Sequence, residues 1–316
     1  MSDALSILGR DILPGESVRI ELEVARLLTR NRIQIPINIE RAEEDGPVLL
    51  LIAGIHGDET NGVAIVREMI QAGLNRPVRG TTISIPVFNV FGFLNQTREL
   101  PDGKDLNRVF PGSADGSLAS QFAYHFRTEI APIIDYAIDF HTGSSDRHNI
   151  TQIRCNLDKP GMHDLAMAFG APFVIHSPGI PKSIREILTK MGKKALLFEG
   201  GKTKSLDADV IGYGTAGAVN VMRYLNMLDG DPAISTPPTV IRKTKWLRAP
   251  SSGLFFPEDV NGMYVEKRTL LGMIKDPYGE YQKPVLAPYP GHIICANTTS
   301  IVNRGDALFH MSRDNE

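Results

Sequence analysis

The chain opens with two stretches, "SVRIELEVARLL" (17–28) and "RIQIPINIERA" (32–42), in which β-branched residues partly alternate with polar ones. That period of two predicts a hairpin. "PVLLLIAG" (47–54) drops the alternation and is apolar throughout, the pattern of a strand covered on both faces. Over 60–72 the spacing changes again. Val63, Ile65, Val66, Met69 and Ile70 recur near the helical period, and Gly73 follows as a stop. From there strands and helices alternate, with strands predicted at 81–89, 134–141, 172–176 and 194–201. Helices are predicted at about 117–130, 161–169, 183–191 and 213–228. This order points to an α/β fold, a three-layer arrangement with a largely parallel sheet and helices on both faces. In such sheets ligands bind beyond the carboxyl ends of the strands. His56, His141 and Glu199 fall at three of those ends.

After "DGDPAISTPPT" (229–239) the texture shifts to short strands and turns. We expect a boundary there, dividing an α/β domain with an N-terminal β extension (1–235) from a β-rich cap (236–316). The cap carries an internal echo. "GLFFPEDVNGMYVEKRTLLGMI" (253–274) and "GHIICANTTSIVNRGDALFHM" (291–311) both run Gly, apolar pair, turn, Val, turn, apolar pair. The echo resembles the duplicated β-hammerhead of biotinyl and lipoyl carrier domains. The intervening "KDPYGEYQKPV" lacks the Met-Lys-Met context of a modified lysine, so a structural cap is expected rather than a swinging arm.

Composition removes several classes of function. With 34 basic and 36 acidic residues in 316, the net charge of −2 is too balanced for an electrostatic nucleic-acid binder. The longest clean apolar run, 48–55, falls short of the ~20 residues of a membrane helix. The N-terminus lacks the basic start and apolar block of a secretory signal. The two cysteines, Cys155 and Cys295, lie far apart, as buried small hydrophobes in a reducing compartment would. A cytoplasmic protein acting on a small molecule is expected. The two long N-terminal strands would extend the sheet or form a subunit contact, so a homo-oligomer stays open.

The candidate chemistry begins at "GIHGDETNG" (54–62), where a greasy strand turns abruptly polar. His56 and Glu59 stand three apart in a glycine-rich turn, a spacing that lets imidazole and carboxylate converge on one cation. Position 60 is Thr, which rules out the helix-borne H-E-x-x-H arrangement. "DFHTG" (139–143) offers His141 as a third ligand, and two His with one Glu and a fourth position left to water is a catalytic zinc set. Taken alone, H-x-x-E also describes a satisfied loop histidine and a glutamate favoured by a helix N-terminus.

Four motifs in order, "GIHGDETNG", "DLNRVFPG", "DFHTG" and "LFEGG", resemble the succinylglutamate desuccinylase/aspartoacylase family, relatives of the zinc carboxypeptidases. The resemblance implies a zinc-dependent amidohydrolase, one zinc per chain, that removes an acyl group from an N-acylated amino acid. It carries the metal ligands onto His56, Glu59 and His141, and the general acid/base onto Glu199. Arg98 takes the place of the arginine that polarises the scissile carbonyl, and Asn107 with Arg108 the pair that holds a substrate carboxylate. Asp105 would brace that loop. Asp139, two residues before His141, is a candidate to orient its imidazole. His148 lies in what reads as a loop bordering the pocket, where a surface role is favoured. The competing readings are a zinc carboxypeptidase acting on peptides and a non-catalytic binding protein. Retention of Glu199 disfavours the latter.

Overall fold

The computed structural model describes residues 5–26 and 29–313. Its first strands are β1 (Leu5–Ile7), β2 (Arg10–Ile12), β3 (Ser17–Arg26), β4 (Arg32–Arg41), β5 (Glu44–Ala53), β6 (Arg79–Ile85), β7 (Tyr136–Gly143), β8 (Arg147–Cys155), β9 (Phe173–His176) and β10 (Lys194–Lys202). Between them lie α1 (Thr60–Gln71), α2 (Val90–Asn95), α3 (Leu118–His125), α4 (Met162–Phe169) and α5 (Ile184–Lys190), with α6 (Ala208–Tyr224) after β10. The remainder is all strand: β11 (Thr239–Ile241), β12 (Thr244–Arg248), β13 (Gly253–Pro257), β14 (Tyr264–Val265), β15 (Leu270–Lys275), β16 (Gln282–Leu286), β17 (Gly291–Asn297), β18 (Ile301–Val302) and β19 (Ala307–Ser312).

Strand β5 shows why the fold is mixed α/β. Leu49, Leu51 and Ala53 enter one core with Ile65 and Val66 of α1, Leu165 of α4 and Val221 of α6. Leu50 and Ile52 enter another, with Phe122 of α3, Leu188 of α5 and Ile37 of β4. The uninterrupted apolar run is thus a strand buried on both faces, and each fully covered Leu or Ile contributes about 1.5–3 kcal/mol. Parallel pairing joins β10 to β7, β7 to β5 and β5 to β6. The predicted hairpin is β3–β4. It extends the sheet antiparallel beyond β6, while residues 27–28 at the end of the expected first strand lie outside the described residues.

Three elements differ from expectation. Residues 147–150, read as part of a loop bordering the pocket, belong to β8, which runs antiparallel to β10. Helix α6 starts at Ala208 rather than 213, because Asp207 Oδ1 accepts from the backbone N–H of Asp209 (3.1 Å) and Val210 (3.2 Å) and caps it there. The helix expected over 117–130 is α3, which passes at Phe126 into a π-helical turn. The expected stop at Gly73 is observed, with a left-handed φ of 68° one residue past the helix cap at Ala72.

The C-terminal segment is hydrogen-bonded into the same sheet. Strand β17 pairs with β8 and with β19, and β19 with β12. Both halves of the sequence echo fold as strand, two-residue strand, strand: β13–β14–β15 and β17–β18–β19. Phe255, Leu271, Ile293 and Phe309 share a separate core there. Among the described residues no helix is long and apolar enough to cross a membrane.

Helix α1 sits directly on β7 through a glycine. A Cβ at Gly62 would lie 2.5 Å from the Phe140 carbonyl oxygen, so a side chain there forces helix and strand apart. Gly62→Ala is expected to cost about 1–3 kcal/mol in urea unfolding. It should also weaken metal binding, since α1 follows Glu59 and β7 carries His141. Stability and metal affinity equal to wild type would contradict this packing.

Candidate metal centre and active site

The parallel strands set the geometry. Period-two alternation puts Ile138 and Phe140 of β7, and Leu196 and Phe198 of β10, into one core. Asp139, His141, Leu197 and Glu199 therefore all face the other way. His141 and Glu199 are direct partners in the β7–β10 register. The mutually tilted rings of Phe140, Phe198 and Phe169, with centroids 5.6 and 5.7 Å apart, pack behind the two strands.

His56 and Glu59 arrive from the turn after β5. That turn packs tightly on α2: a Cβ at Gly57 would lie 1.7 Å from the Gly92 carbonyl carbon, and Gly57 N–H donates to the Thr97 carbonyl (3.0 Å). Glu59 occupies the N-cap position of α1 yet its side chain makes no cap hydrogen bond. It turns inward instead. Glu59 Oε1 lies 2.8 Å from His56 Nδ1, Oε2 lies 2.8 Å from His141 Nδ1, and Oε2 accepts from the Thr142 N–H at 3.1 Å. His56, Glu59 and His141 are all buried, and each offers one ligand atom within 4.8 Å of the others.

The outer nitrogens are also engaged. His56 Nε2 lies 3.1 Å from Asp105 Oδ1, and His141 Nε2 lies 2.9 Å from Asp139 Oδ2. The latter pair is close but not aligned as a hydrogen bond, and both oxygens of buried Asp139 lack an aligned donor. Carboxylates on the outer nitrogens leave both Nδ1 atoms directed at Glu59, as imidazoles that share a metal require. Asp105 thus does more than brace its loop, although it does that too by accepting from the Asn107 N–H at 2.8 Å.

Charge favours a cation at this point. Burial opposes protonation of both imidazoles, yet Glu59 and Asp105 raise His56, and Asp139 and Glu59 raise His141 well above the ordinary imidazole value. Burial likewise penalises the Glu59 carboxylate, but the two imidazoles hold it well below the usual range. The cluster gathers positive charge. Two nitrogens, one oxygen and no sulfur, buried and backed by carboxylates, fit zinc.

Residues 45–225 match the succinylglutamate desuccinylase/aspartoacylase catalytic domain. The chain belongs to this family. Within it, the chain is similar to the N-alpha-acetyl-L-2,4-diaminobutyric acid deacetylase of Halomonas elongata, 32% identical over 149 residues. That match spans 45% of this chain and 43% of the relative, less than half the length of either. Among solved structures it is similar to a succinylglutamate desuccinylase/aspartoacylase from Rhodobacter sphaeroides, with TM-score 0.84, 23% identity and 100% of each chain covered. It is also similar to the product-bound ectoine utilization protein EutE from Ruegeria pomeroyi, with TM-score 0.83, 22% identity and 99% of each chain covered. At these identities the likeness to both structures is one of fold.

Beside the ligand cluster opens a cavity of about 240 Å³, lined by Arg98, Asn107, Arg108, Arg147, Asn149, Arg154, Glu199 and Trp246 among others. All seven residues expected at a site in this family member therefore meet in one place. Arg98 forks onto Asp105 Oδ2 through Nε (3.1 Å) and Nη2 (2.8 Å), while its Nη1 reaches Glu59 Oε1 at 3.2 Å. Buried Asn107 accepts from the Ile184 N–H through Oδ1 (2.9 Å), so α5 fixes its amide with Nδ2 left to donate. Exposed Arg108 donates to the Asn107 carbonyl at 2.7 Å. Glu199 Oε2 accepts from Asn149 Nδ2, and Oε1 lies 3.8 Å from Arg154 Nε. His148 belongs to β8 and does not line the cavity; its carbonyl accepts from Asn261 Nδ2 at 3.1 Å.

Sequence reasoning missed Arg147, Asn149, Arg154 and Trp246. The first three sit on β8, whose alternating burial is partly visible in "NITQIRC". Trp246 has no local signal and arrives through β12–β19 pairing, where it is the direct partner of His310.

Because the raised imidazoles hold protons when no metal is present, metal binding must release them. Affinity for zinc should therefore fall as pH is lowered through and above the ordinary imidazole range. The expected slope is about tenfold per pH unit for each proton released. Competition with a chelator of known affinity at several pH values measures this, and a flat profile would contradict the linkage.

Proposed function

We propose that the protein is a zinc-dependent amidohydrolase that removes an acyl group from an N-acylated amino acid. The observation that carries the reading is the convergence of His56, Glu59 and His141 beside Glu199 in one small cavity. The family supports acyl–amino acid hydrolysis, and the Halomonas relative by name deacetylates a diaminobutyric acid. Zinc, held by the three ligands, supplies a hydroxide source at neutral pH and a Lewis acid for the amide carbonyl.

The chain's own residues do the rest. Glu199 takes the proton of the attacking water and delivers it to the departing amine. Asn149 donates to its Oε2 and fixes the carboxylate in place. Arg98, fixed by Asp105, donates Nη1 to the carbonyl oxygen as negative charge develops there. Arg108 and Asn107 Nδ2 hold the α-carboxylate, which orients the scissile bond over Glu199. A cavity of about 240 Å³ suits an acylated amino acid better than a peptide, which favours deacylation over the carboxypeptidase alternative.

The reading extends to architecture and setting. Three layers in residues 1–235 present the site. Residues 236–316, with their own core and hammerhead-like echo, form a cap that contributes Trp246 to the cavity wall. Burial pushes both free thiols, Cys155 and Cys295, up to about 12, so they are inert and suited to a reducing cytoplasm.

A screen of N-acetyl, N-formyl and N-succinyl amino acids beside dipeptides, read by release of free amine, tests the assignment. Turnover of N-acyl amino acids is expected, and cleavage of dipeptides alone would replace it with the peptidase. Glu199→Gln should lower kcat by about 10²–10⁴ while the zinc content stays at one per chain. A fully active variant would remove Glu199 as the base. Arg108→Gln should raise KM for N-acyl amino acids more than for their α-amides, and equal effects would reject the carboxylate clamp.

A further inference from the structure

A second cavity, of about 410 Å³, lies between α5, the segment after β8 and the start of β10. It shares no lining residue with the active-site cavity, is larger than it, and falls in the size range of small-molecule sites. In a chain of net charge −2, its wall is strongly basic. Lys159, Arg185, Lys190, Lys193 and Lys194 line it against one carboxylate, Glu186. That carboxylate is already committed, to Lys190 Nζ at 2.9 Å and to the Lys182 N–H at 2.8 Å. Lys193 turns to the Pro132 carbonyl at 3.0 Å. Lys159, Arg185 and Lys194 remain, and among the described residues none of them has a carboxylate within ion-pair distance.

Arg185 is the anomaly among them. It is only 6% exposed, and its guanidinium donates to neutral oxygens alone. Nη1 reaches the Ser177 carbonyl at 2.7 Å, and Nη2 reaches Ser177 Oγ at 3.1 Å and the Pro178 carbonyl at 3.4 Å. Nε has no acceptor among the described residues. Burial, aided by Arg154, pulls its pKa below the ordinary guanidinium value. Buried charges are ordinarily paired, so this cation and its two lysine neighbours call for an anion. The forked edge of Arg185 is spent on Ser177 and Pro178, and lysine ammoniums act as point charges. A tetrahedral phosphate, with charge in several directions, suits such a wall better than a planar carboxylate. Pro160, Met162 and Ala195 give the cavity an apolar side, where an organic body attached to the phosphate would lie.

We propose that this cavity is a second ligand site, for the phosphate ester of a small organic molecule, and that filling it tightens the active site. The coupling runs through residues 177–184, which stand between the two cavities. Gly179 lines the basic cavity and Ile180 the catalytic one. Arg185 ties one end of this segment through Ser177 and Pro178. At the other end the Lys182 carbonyl accepts from the Phe110 N–H at 3.1 Å, and the Ile184 N–H donates to Asn107 Oδ1 at 2.9 Å. An anion that holds Arg185 and the lysines therefore steadies the helix that fixes Asn107. Asn107 and Arg108 are the groups assigned to the substrate carboxylate, so occupancy lowers KM. The site itself stands apart from the deacylase reading, and only its effect on KM rests on that reading.

Calorimetric titration of the zinc-loaded protein with ribose 5-phosphate tests the site, with ribose and inorganic phosphate as comparators. One phosphate ester per chain is expected, with no binding of ribose and weaker binding of inorganic phosphate. The double variant Lys159→Gln/Lys194→Gln should weaken ester binding by about tenfold or more, whereas Arg108→Gln should leave it unchanged. In hydrolysis of an N-acyl amino acid, the ester should lower KM by about fivefold in the wild type and leave KM of the lysine variant where it was. No binding at millimolar ester, or inorganic phosphate bound as tightly, would overturn the proposal. So would binding lost in Arg108→Gln but kept in the lysine variant, which would put the phosphate on the catalytic wall, or a KM that ignores the bound ester. Failure of the deacylase reading is distinct: no N-acyl amino acid would be hydrolysed, and the calorimetry would still decide the site.

Discussion

A glutamate carboxylate only 2% exposed, wedged between two imidazoles, is the constraint around which this structure is arranged. A buried anion is tolerable only if positive charge surrounds it. The fold supplies that charge from separated points of the chain: His56 from the turn after β5, His141 from the end of β7, and Arg98 from the segment after α2. Asp105 and Asp139 then fix the far side of each imidazole. Every element near the site serves this convergence. The aromatic pairs behind β7 and β10 hold the strands in register, and the turn after β5 approaches α2 closely enough that only glycine fits at 57.

Much of this was legible in the sequence because the relevant segments announce themselves locally. Val48 to Ala53 is apolar without alternation, the pattern of a strand covered on both faces. His56 follows β5, and His141 and Glu199 lie towards the carboxyl ends of β7 and β10, so the parallel strands bring their side chains to one edge. The N-terminal hairpin and the helix of α1 followed from periods of two and 3.6. Strand β8 was not legible. Its residues serve the pocket on one side and pack on the other, so Arg147, His148 and Asn149 give it the polar look of a loop. The start of α6 was missed because the cap at Asp207 precedes the apolar residues that mark the helix. Arg98 and Arg108 were assigned only through the family motifs, since a loop arginine carries no periodic signal.

The cavity wall shows a different limit of local reading. Prolines and small residues at 229–239 mark a change of texture, but composition reports exposure and turn chemistry rather than strand pairing. Strands β17, β19 and β12 pair on from β8, and this long-range pairing delivers Trp246 to the cavity. The aromatic wall and the guanidinium it carries therefore come from segments about 100 residues apart in sequence, Arg147 and Trp246. The His56–Glu59–His141 cluster comes from the α/β portion, whereas the cavity beside it is lined by residues of both.

The central claim is that His56, Glu59 and His141 bind one cation through nitrogen and oxygen alone. X-ray absorption at the zinc edge of the reconstituted protein tests it most directly. The account predicts one zinc per chain with two imidazoles and oxygen ligands at about 2.0–2.2 Å. A sulfur shell at about 2.3 Å, or a two-imidazole signal that is unchanged in the His56→Ala or the His141→Ala variant, would contradict it.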